Sequence, residues 1–262
     1  MDIPSTPSTL IETLDKVSIR GPESITGAAQ CFAAIAASLE FQFAVWHDLS
    51  SKNGPEDCDR VSLNETVFGW NDRGDRWWDK PQIALASPIA LACRYESEPF
   101  WMNIDGFHGN SIRSDLALRG LSKAFANPAE VSSLMVIPVH LAFGQTGLVC
   151  CLPTDVQKSD LSAEYREYSA MLSLIAHRFL KTYNHVQDTR KEVPSNCYLT
   201  RRQVQCLQWA SQGKTDRETG MILSLSHAAV RYHLQCAIER LGCVNRTQAV
   251  FRAAQLGYVG AI

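Results

Sequence analysis

The spacing of apolar residues before about position 182 predicts helices packed on a sheet. Residues 24–39 are rich in alanine and other apolar residues, which favours a buried helix. Residues 162–182 carry apolar side chains three and four positions apart, the period of an amphipathic helix. Four short apolar runs predict strands, at residues 41–46, 65–68, 134–138 and 147–152. The pattern therefore predicts an α+β domain in which helices flank a mostly antiparallel sheet.

Two local signals refine this organisation. Ser87 and Pro88 mark a further helix start, because serine caps a first turn and proline fits its first position. Residues 183–198 contain Pro194 and lack a sustained apolar period, so we interpret them as a linker. The predicted domains are therefore residues 1–182 and residues 199–262.

The pattern of residues 199–262 predicts four short helices. Three helix starts carry a capping hydroxyl and two helix ends carry glycine. The caps are Thr200, Thr215 and Ser226, and the glycines are Gly213 and Gly242. The residues predicted to face the bundle core are Val204, Leu207, Trp209, Thr219, Ile222, Leu223, Val230, Leu234 and Ile238. The short turn at residues 224–226 predicts a helix-turn-helix unit, and residues 246–256 form the fourth helix.

This packing leaves one face of the third helix exposed, and that face suits nucleic acid. It carries His227, Arg231, Tyr232 and Gln235 on adjacent turns. Arg and Gln match the hydrogen-bonding edges of guanine and adenine in the major groove. The surrounding cations would neutralise phosphates, and they are Arg201, Arg202, Lys214, Arg217, Arg240 and Arg246. A small helical protein-interaction bundle with a basic surface is the alternative interpretation.

The charge distribution supports an anionic partner for this module alone. Residues 199–262 hold one lysine and seven arginines against three acidic residues, whereas the whole chain has a net charge of −2. The rest of the chain is therefore acidic. A basic module on an acidic body is typical of a protein that binds nucleic acid through that module.

Composition argues against several other classes of protein. The N-terminus lacks the basic start and apolar run of a signal peptide, and the longest apolar stretch, residues 134–152, is interrupted by Pro138 and His140. We therefore expect a cytoplasmic protein without a membrane span. The nine cysteines are scattered without metal-ligand spacing, which favours reduced buried thiols. Because no HExxH, GxSxG or GxxxxGK[ST] motif is present, we expect no catalytic site, cofactor or metal.

Residues 199–259 closely resemble, without gaps, the tetrahelical DNA-binding domain of LuxR-type (GerE-like) regulators. The residues that carry the resemblance are Leu207, Gly213-Lys214, Val230, His233-Leu234, Leu241-Gly242 and 245–250. Gln203 replaces the family's acidic residue, and Thr219-Gly220 replaces its Ile-Ala. We expect Gly220 to fit a close helix crossing but to cost about 1 kcal/mol relative to alanine. The resemblance implies a transcriptional regulator that binds double-stranded DNA.

Residues 20–182 resemble, more diffusely, the autoinducer-binding domain of LuxR-type quorum-sensing regulators. The resemblance is carried by residues 77–80, Ser87-Pro88, Phe100-Trp101 and 136–139. It implies an α-β-α sandwich that holds an N-acyl-homoserine lactone, or another small hydrophobic ligand, between sheet and helices. It also implies a homodimer on a palindromic operator, with RNA polymerase as a further partner.

The candidate ligand-binding residues, each with a structural alternative, are Trp77, Trp78, Ser87 and Trp101. Ser87 replaces the family's aspartate, so its bond to a ligand amide would lose charge assistance, and it is equally a helix cap. The tryptophans are equally core residues. Leu134 replaces a glycine and adds bulk. A ligand-independent regulator, whose N-terminal domain dimerises or binds a partner, is therefore the alternative function.

Overall fold

The chain folds as two units in the computed structural model, which describes residues 6–50, 54–69, 87–110, 131–187 and 198–260. One unit comprises Met1–Leu141 with Gln145–Thr189, and the other comprises Ala142–Gly144 with Arg190–Ile262. The candidate ligand residues Trp77 and Trp78 lie outside the described residues.

The first unit is built on a five-stranded antiparallel sheet. Its helices are α1 (Pro7–Lys16), α2 (Ile25–Ser38), α3 (Leu63–Thr66), α4 (Pro88–Tyr95) and α5 (Ser162–Gln187). Its strands are β1 (Phe41–Trp46), β2 (Phe100–Asn103), β3 (Gly106–His108), β4 (Ser133–His140) and β5 (Thr146–Pro153). The strand order is β1-β5-β4-β2-β3, with antiparallel pairing throughout. The predicted α+β class and antiparallel sheet are confirmed.

One face of the sheet, the α2 face, packs against α1, α2 and α5. Its core includes Phe43 of β1, Phe32 of α2 and Phe179 of α5. The Phe32 ring centroid lies 4.7 Å from that of Phe43 and 5.1 Å from that of Phe179. Aromatic rings at this spacing bury a large apolar area, so these three side chains hold both helices on the sheet.

The opposite face, the α4 face, carries alternate residues of the same strands. Phe100 and Met102 of β2 lie on it with Val136 of β4, and they form one cluster with Ile89 and Ala90 of α4. Because successive strand residues point to opposite faces, the sheet is covered on both sides. This arrangement is the predicted α-β-α sandwich.

The predicted strand at residues 65–68 is wrong, because this segment contains the end of the short helix α3 (Leu63–Thr66). The side chain of Asn64 makes the hydrogen bonds to β1 that the backbone of a neighbouring strand would otherwise make. Asn64 Nδ2 donates to the Val45 carbonyl at 2.8 Å, and Asn64 Oδ1 accepts from the Val45 amide at 2.9 Å. The buried amide thus satisfies the edge of β1 without a further strand.

The predicted linker starts too early, because α5 continues through Gln187. Tyr183 and Asn184 are buried in the first unit. The Tyr183 hydroxyl accepts from the Glu56 amide at 2.7 Å and donates to the Glu56 carbonyl at 3.0 Å. Asn184 Nδ2 donates to the His47 carbonyl at 3.0 Å. These contacts with the segment after β1 extend the helix beyond the point that the polar sequence suggested.

The second unit is the predicted bundle of four helices. They are α6 (Arg201–Ser211), α7 (Asp216–Leu223), α8 (His227–Arg240) and α9 (Arg246–Gln255). Hydroxyl groups of Thr200, Thr215 and Ser226 cap the first three, as expected, and the side-chain oxygen Oδ1 of Asn245 caps α9. The core contains Leu207 of α6, Val230, Leu234 and Ala237 of α8, and Ala249 and Ala253 of α9.

The turn between α7 and α8 depends on a close backbone approach. Ser224 adopts a left-handed conformation with φ 54°, and the Leu225 amide donates to the Gly220 carbonyl at 2.8 Å. A Cβ atom on Gly220 would lie 2.7 Å from the Leu225 carbonyl oxygen. An alanine here would therefore require the turn backbone to shift, which opposes the advantage that alanine has in helix propensity.

The core-facing side of α7 differs from the prediction in one further respect. Ile222 is 45% exposed, whereas Thr219 and Gly220 are buried against the bundle. The Thr219 hydroxyl has no hydrogen-bond partner among the described residues. Small residues, rather than a large aliphatic one, therefore permit α7 to approach its neighbours.

We predict that Gly220→Ala lowers the free energy of unfolding of this unit by about 1–3 kcal/mol, because the added methyl group meets backbone. This loss outweighs the helix-propensity gain of about 1 kcal/mol. Amide hydrogen exchange in α7 and α8 of the full chain measures the effect.

The adjacent substitution Thr219→Val provides the matched control. It keeps the shape of the side chain but removes the unpaired buried hydroxyl, so we expect unchanged or up to about 1 kcal/mol greater stability. Slower exchange in Gly220→Ala than in the original chain would contradict the required close approach.

Candidate functional site

The exposed side of α8 gathers the four residues predicted to read bases. Val230, Leu234 and Ala237 are buried in the bundle on the opposite side of the helix. His227, Arg231, Tyr232 and Gln235 are all exposed to solvent. We call these four residues the α8 face. The buried stripe fixes the helix, so the α8 face is presented from a rigid support.

Two side chains of the α8 face are held by residues one turn further along. A hydrogen bond with Cys236 raises the pKa of Tyr232 above its usual value. Gln235 Nε2 donates to Glu239 Oε1 at 3.0 Å. The sequence analysis missed both supporting residues, although their i, i+4 spacing is the signal that could have revealed them.

The start of α8 offers amide groups without a nearby acid. Ser226 Oγ accepts from the Ala229 amide at 3.1 Å, and the first turn of the helix contains no acidic residue. No acidic side chain of this first turn therefore offsets the positive end of the helix dipole. This geometry suits a phosphate oxygen.

The start of α7 is different because its own carboxylate occupies the cap. Glu218 Oε2 accepts from both the amide and the hydroxyl of Thr215 at 2.7 Å. These hydrogen bonds hold the pKa of Glu218 below its usual value. Asp216 adds a second acidic group in the first turn. Protein groups therefore already occupy part of this helix start, which makes it less available to a phosphate than the start of α8.

Arg246, which we predicted to bind phosphate, makes internal contacts. Its Nη1 donates to Asp216 Oδ1 at 2.5 Å, and its Nη2 donates to the Lys214 carbonyl at 2.6 Å. The guanidinium therefore joins the start of α9 to the start of α7, and the Asp216 carboxylate balances its charge. Lys214 is half-buried, and Arg217 is exposed.

Gln203 shows how the bundle accommodates a neutral residue where the resembled family has an acid. It is buried at the start of α6, and its Oε1 accepts from the Thr200 amide at 2.8 Å. The same oxygen accepts from Arg240 Nη1 at 3.4 Å. Arg240 also donates to the Tyr198 carbonyl at 2.8 Å, so it supports this helix start.

In the first unit, Ser87 is buried at the start of α4. Its Oγ accepts from the Ala90 amide at 3.4 Å, and Pro88 occupies the first turn. The structure therefore shows the helix cap that the sequence left as one of two interpretations. A ligand role for Ser87 stays a prediction.

Trp101 lies on the α2 face, whereas α4 and Ser87 belong to the α4 face. Its ring stacks on His108 with centroids 4.0 Å apart, and its exposed fraction is 7%. The structure therefore does not bring Trp101 and Ser87 into one pocket. The β2 residues that lie on the α4 face are Phe100 and Met102.

The thiols of the first unit behave as core groups. Cys150 lies on the α4 face and Cys151 on the α2 face. Burial raises the pKa of Cys150 to about 12 and also raises the pKa of Cys151. Such thiols stay protonated at neutral pH, so they are poor nucleophiles and poor metal ligands.

The described part of the chain contains neither a metal-binding cluster nor a membrane-spanning helix. The described residues include no group of three or more His, Cys, Asp or Glu side chains arranged to hold a metal ion. No helix among them combines the length and apolar character needed to cross a bilayer.

Comparison with protein families identifies the second unit. Residues 198–253 match the family model described as GerE, bacterial regulatory proteins, luxR family. The matched segment contains all the residues of the α8 face.

Curated relatives extend the likeness into the first unit. The chain is 27% identical over 197 residues to the transcriptional activator protein AhyR of Aeromonas hydrophila, which covers 73% of each chain. It is 32% identical over 124 residues to the transcriptional activator protein VanR of Vibrio anguillarum. That alignment covers 47% of this chain and 50% of VanR, so it spans half the length of that relative.

A solved structure shares the fold of the whole chain. The structure described as SdiA in complex with octanoyl-rac-glycerol superposes with a TM-score of 0.51 and 16% identity, covering 100% of both chains. At this identity the likeness concerns the fold.

We predict that Lys214→Gln and Arg246→Gln weaken DNA binding in different ways. Lys214→Gln should reduce the slope of log affinity against log salt by about one, because one phosphate contact is lost. Arg246→Gln should destabilise the second unit and leave the slope unchanged, because its charge is already balanced by Asp216. Binding of the full chain to a defined duplex at several salt concentrations, with thermal melting of each variant, measures both effects. A lower salt slope with unchanged melting in Arg246→Gln would show instead that Arg246 contacts phosphate.

Proposed function

We propose that this chain is a LuxR-type DNA-binding transcriptional regulator rather than an enzyme, and that a small hydrophobic ligand controls it. The ligand binds beside the α4 face in the first unit. The α8 face carries the DNA-binding part of the proposal, because it lies within the segment matched by the luxR family model. The apolar α4 face supports the ligand-binding part.

The α8 face suits the major groove. Arg231 offers paired donors for guanine, and Gln235 offers a donor and an acceptor for adenine. His227 lies in the first turn of α8, the part of a recognition helix that contacts base edges. The amides at the start of α8 and the exposed Arg217 provide phosphate contacts. We assign Lys214 to the same phosphate-binding group, whereas Arg246 positions the start of α7.

We propose that the regulator acts as a homodimer. Two copies related by a twofold axis would place two α8 faces on a palindromic operator, one in each half-site. A transcriptional role also implies contact with RNA polymerase at the bound promoter. Access to bacterial DNA implies a cytoplasmic location.

The chemistry of the α4 face suggests the class of ligand. Trp46, Met102 and Val136 provide an apolar surface for an acyl chain. Ser87 is the buried hydroxyl at the start of α4, and its oxygen already accepts from the Ala90 amide. Its hydroxyl proton can therefore be donated to a ligand carbonyl. A neutral molecule with an acyl chain and a carbonyl or hydroxyl head fits these groups.

Two probes represent this class. The ligand in the SdiA structure, octanoyl-rac-glycerol, carries an acyl chain and a head without an amide N–H group. N-octanoyl-homoserine lactone carries the same chain with an amide N–H group. Because a serine hydroxyl is uncharged, it offers this N–H group a weaker acceptor than a carboxylate would.

We predict that the purified full chain melts at a higher temperature with one of these probes. A ligand at 100 times its dissociation constant contributes about 2.7 kcal/mol to stability. Ser87→Asp keeps a capping oxygen and adds a charged acceptor, so we expect a larger shift with the lactone and a smaller one with octanoylglycerol.

A variant on the α2 face provides the control. Cys151→Ala changes a buried thiol on the side of the sheet away from α4, so it should lower the melting temperature but leave the increment caused by ligand unchanged. The absence of a shift with both probes in the original chain and in Ser87→Asp would favour the ligand-independent alternative.

A further inference from the structure

Gln235 lies on the α8 face, and a glutamine side chain can pair with more than one base. Which base it prefers depends on the groups that hold its amide. A glutamine amide has two N–H donors and one carbonyl acceptor. Adenine presents one acceptor, N7, and one donor, N6–H, in the major groove, whereas guanine presents two acceptors, N7 and O6. A freely rotating glutamine can therefore satisfy adenine with its oxygen and nitrogen, or guanine with both N–H groups.

Glu239 removes this freedom in the structure. Its Oε1 accepts from Gln235 Nε2 at 3.0 Å, and both residues lie on the exposed side of α8. One N–H donor of Gln235 is thereby committed within the protein. The remaining groups are one N–H donor and the carbonyl oxygen, which is the set that complements adenine.

The same contact fixes the direction of the amide. If the amide turned over, its carbonyl oxygen would face the Glu239 carboxylate, and two acceptors would oppose each other. Glu239 therefore favours one orientation of the amide before DNA is bound. Preorganisation of this kind improves discrimination because the reading group does not have to be ordered on binding.

We propose that Glu239 is a positioning residue that makes Gln235 specific for adenine and excludes guanine. The inference rests on the proposed function, since it assumes that the α8 face reads DNA. It assigns to Glu239 a role that does not require contact with the base. This role would explain why a negative residue, Glu239, stands on a helix that is proposed to bind DNA.

The simpler interpretation is that Gln235 and Glu239 form an i, i+4 pair that stabilises the helix. Such pairs contribute a few tenths of a kcal/mol to an isolated helix. A stabilising pair would affect melting and overall affinity but would leave the order of preferred bases unchanged. Base preference is therefore the measurement that separates the two roles.

The experiment compares Glu239→Ala with Glu239→Gln in the full chain. Both variants remove the charge, so both reduce repulsion from phosphates equally. Only Glu239→Gln keeps a carbonyl oxygen at the right distance to accept from Gln235. A third variant, Gln235→Ala, identifies the base pair that Gln235 reads, because preference at that position should disappear.

Each protein first selects from a library of randomised DNA duplexes, and the affinities for adenine and guanine at the identified position are then compared. We expect the original chain to prefer adenine by roughly 10-fold or more. Glu239→Gln should fall between the original chain and Glu239→Ala, because its amide can donate to Gln235 as well as accept from it. Glu239→Ala should prefer adenine by less than about 3-fold, because its glutamine can present both N–H groups to guanine.

The other outcomes are distinguishable. If the original chain selects no sequence motif, either alone or with each of the two acyl probes, the proposed function itself fails. If it selects a motif but Gln235→Ala leaves every position unchanged, Gln235 does not read a base and the inference is overturned. An adenine preference in Glu239→Ala equal to that of the original chain would also overturn it, whatever the change in melting temperature.

Discussion

The close approach of α7 to the start of α8 is the constraint on which the second unit depends. The Leu225 carbonyl oxygen lies 2.7 Å from the position that a Cβ atom on Gly220 would take, and the left-handed Ser224 turns the chain between the helices. This turn sets the angle at which α8 leaves α7. The stripe of Val230, Leu234 and Ala237 then fixes the rotation of α8 about its own axis. Together these contacts determine that the α8 face points outward.

The arginines of the second unit fall into two groups. Some donate hydrogen bonds within the bundle, and others extend into solvent. Arg246 and Arg240 are cations used within the bundle, where each donates to carbonyl oxygens of another segment. Arg217 and Arg231 remain exposed and available to an anionic partner. Under the proposed function, a count of basic residues would therefore overstate the cations that are free to contact phosphate, because Arg240 and Arg246 already donate within the bundle.

The alternation of strand residues gives the sheet of the first unit two different apolar faces. Its α2 face is closed by interlocking aromatic rings, including Phe32 and Phe179, and it supplies stability. Its α4 face is apolar but is covered among the described residues by the short helix α4. We infer that a ligand enters on this second side because the first is filled. The position of Ser87 at the start of α4 places a hydroxyl group on that side.

The sequence was most informative where structure is local. The caps Thr200, Thr215 and Ser226 predicted three helix starts of the second unit, because capping depends on neighbouring residues. It was least informative where distant residues decide. Asn64 replaces a predicted strand through contacts with β1, which no local pattern reveals.

The candidate sites were also predictable only where neighbouring residues in the chain decide the structure. The exposed α8 face followed from helical period, whereas the internal role of Arg246 depends on Asp216, a residue of another helix. The resemblance predicts both Trp101 and Ser87 as ligand-binding residues, but one position along β2 changes the face on which a side chain lies. A diffuse resemblance cannot fix that register, because a shift of one residue preserves most of its matches.

The central claim is that the α8 face reads DNA, and Arg231→Ala tests it most directly. The measurement is the affinity of the full chain for its selected operator and for operators changed at single base pairs, compared with Arg201→Ala on the exposed start of α6. We predict that Arg231→Ala costs about 1–3 kcal/mol and abolishes preference at one base pair, whereas Arg201→Ala preserves the order of preferred bases. Unchanged affinity and unchanged base preference in Arg231→Ala would contradict the claim.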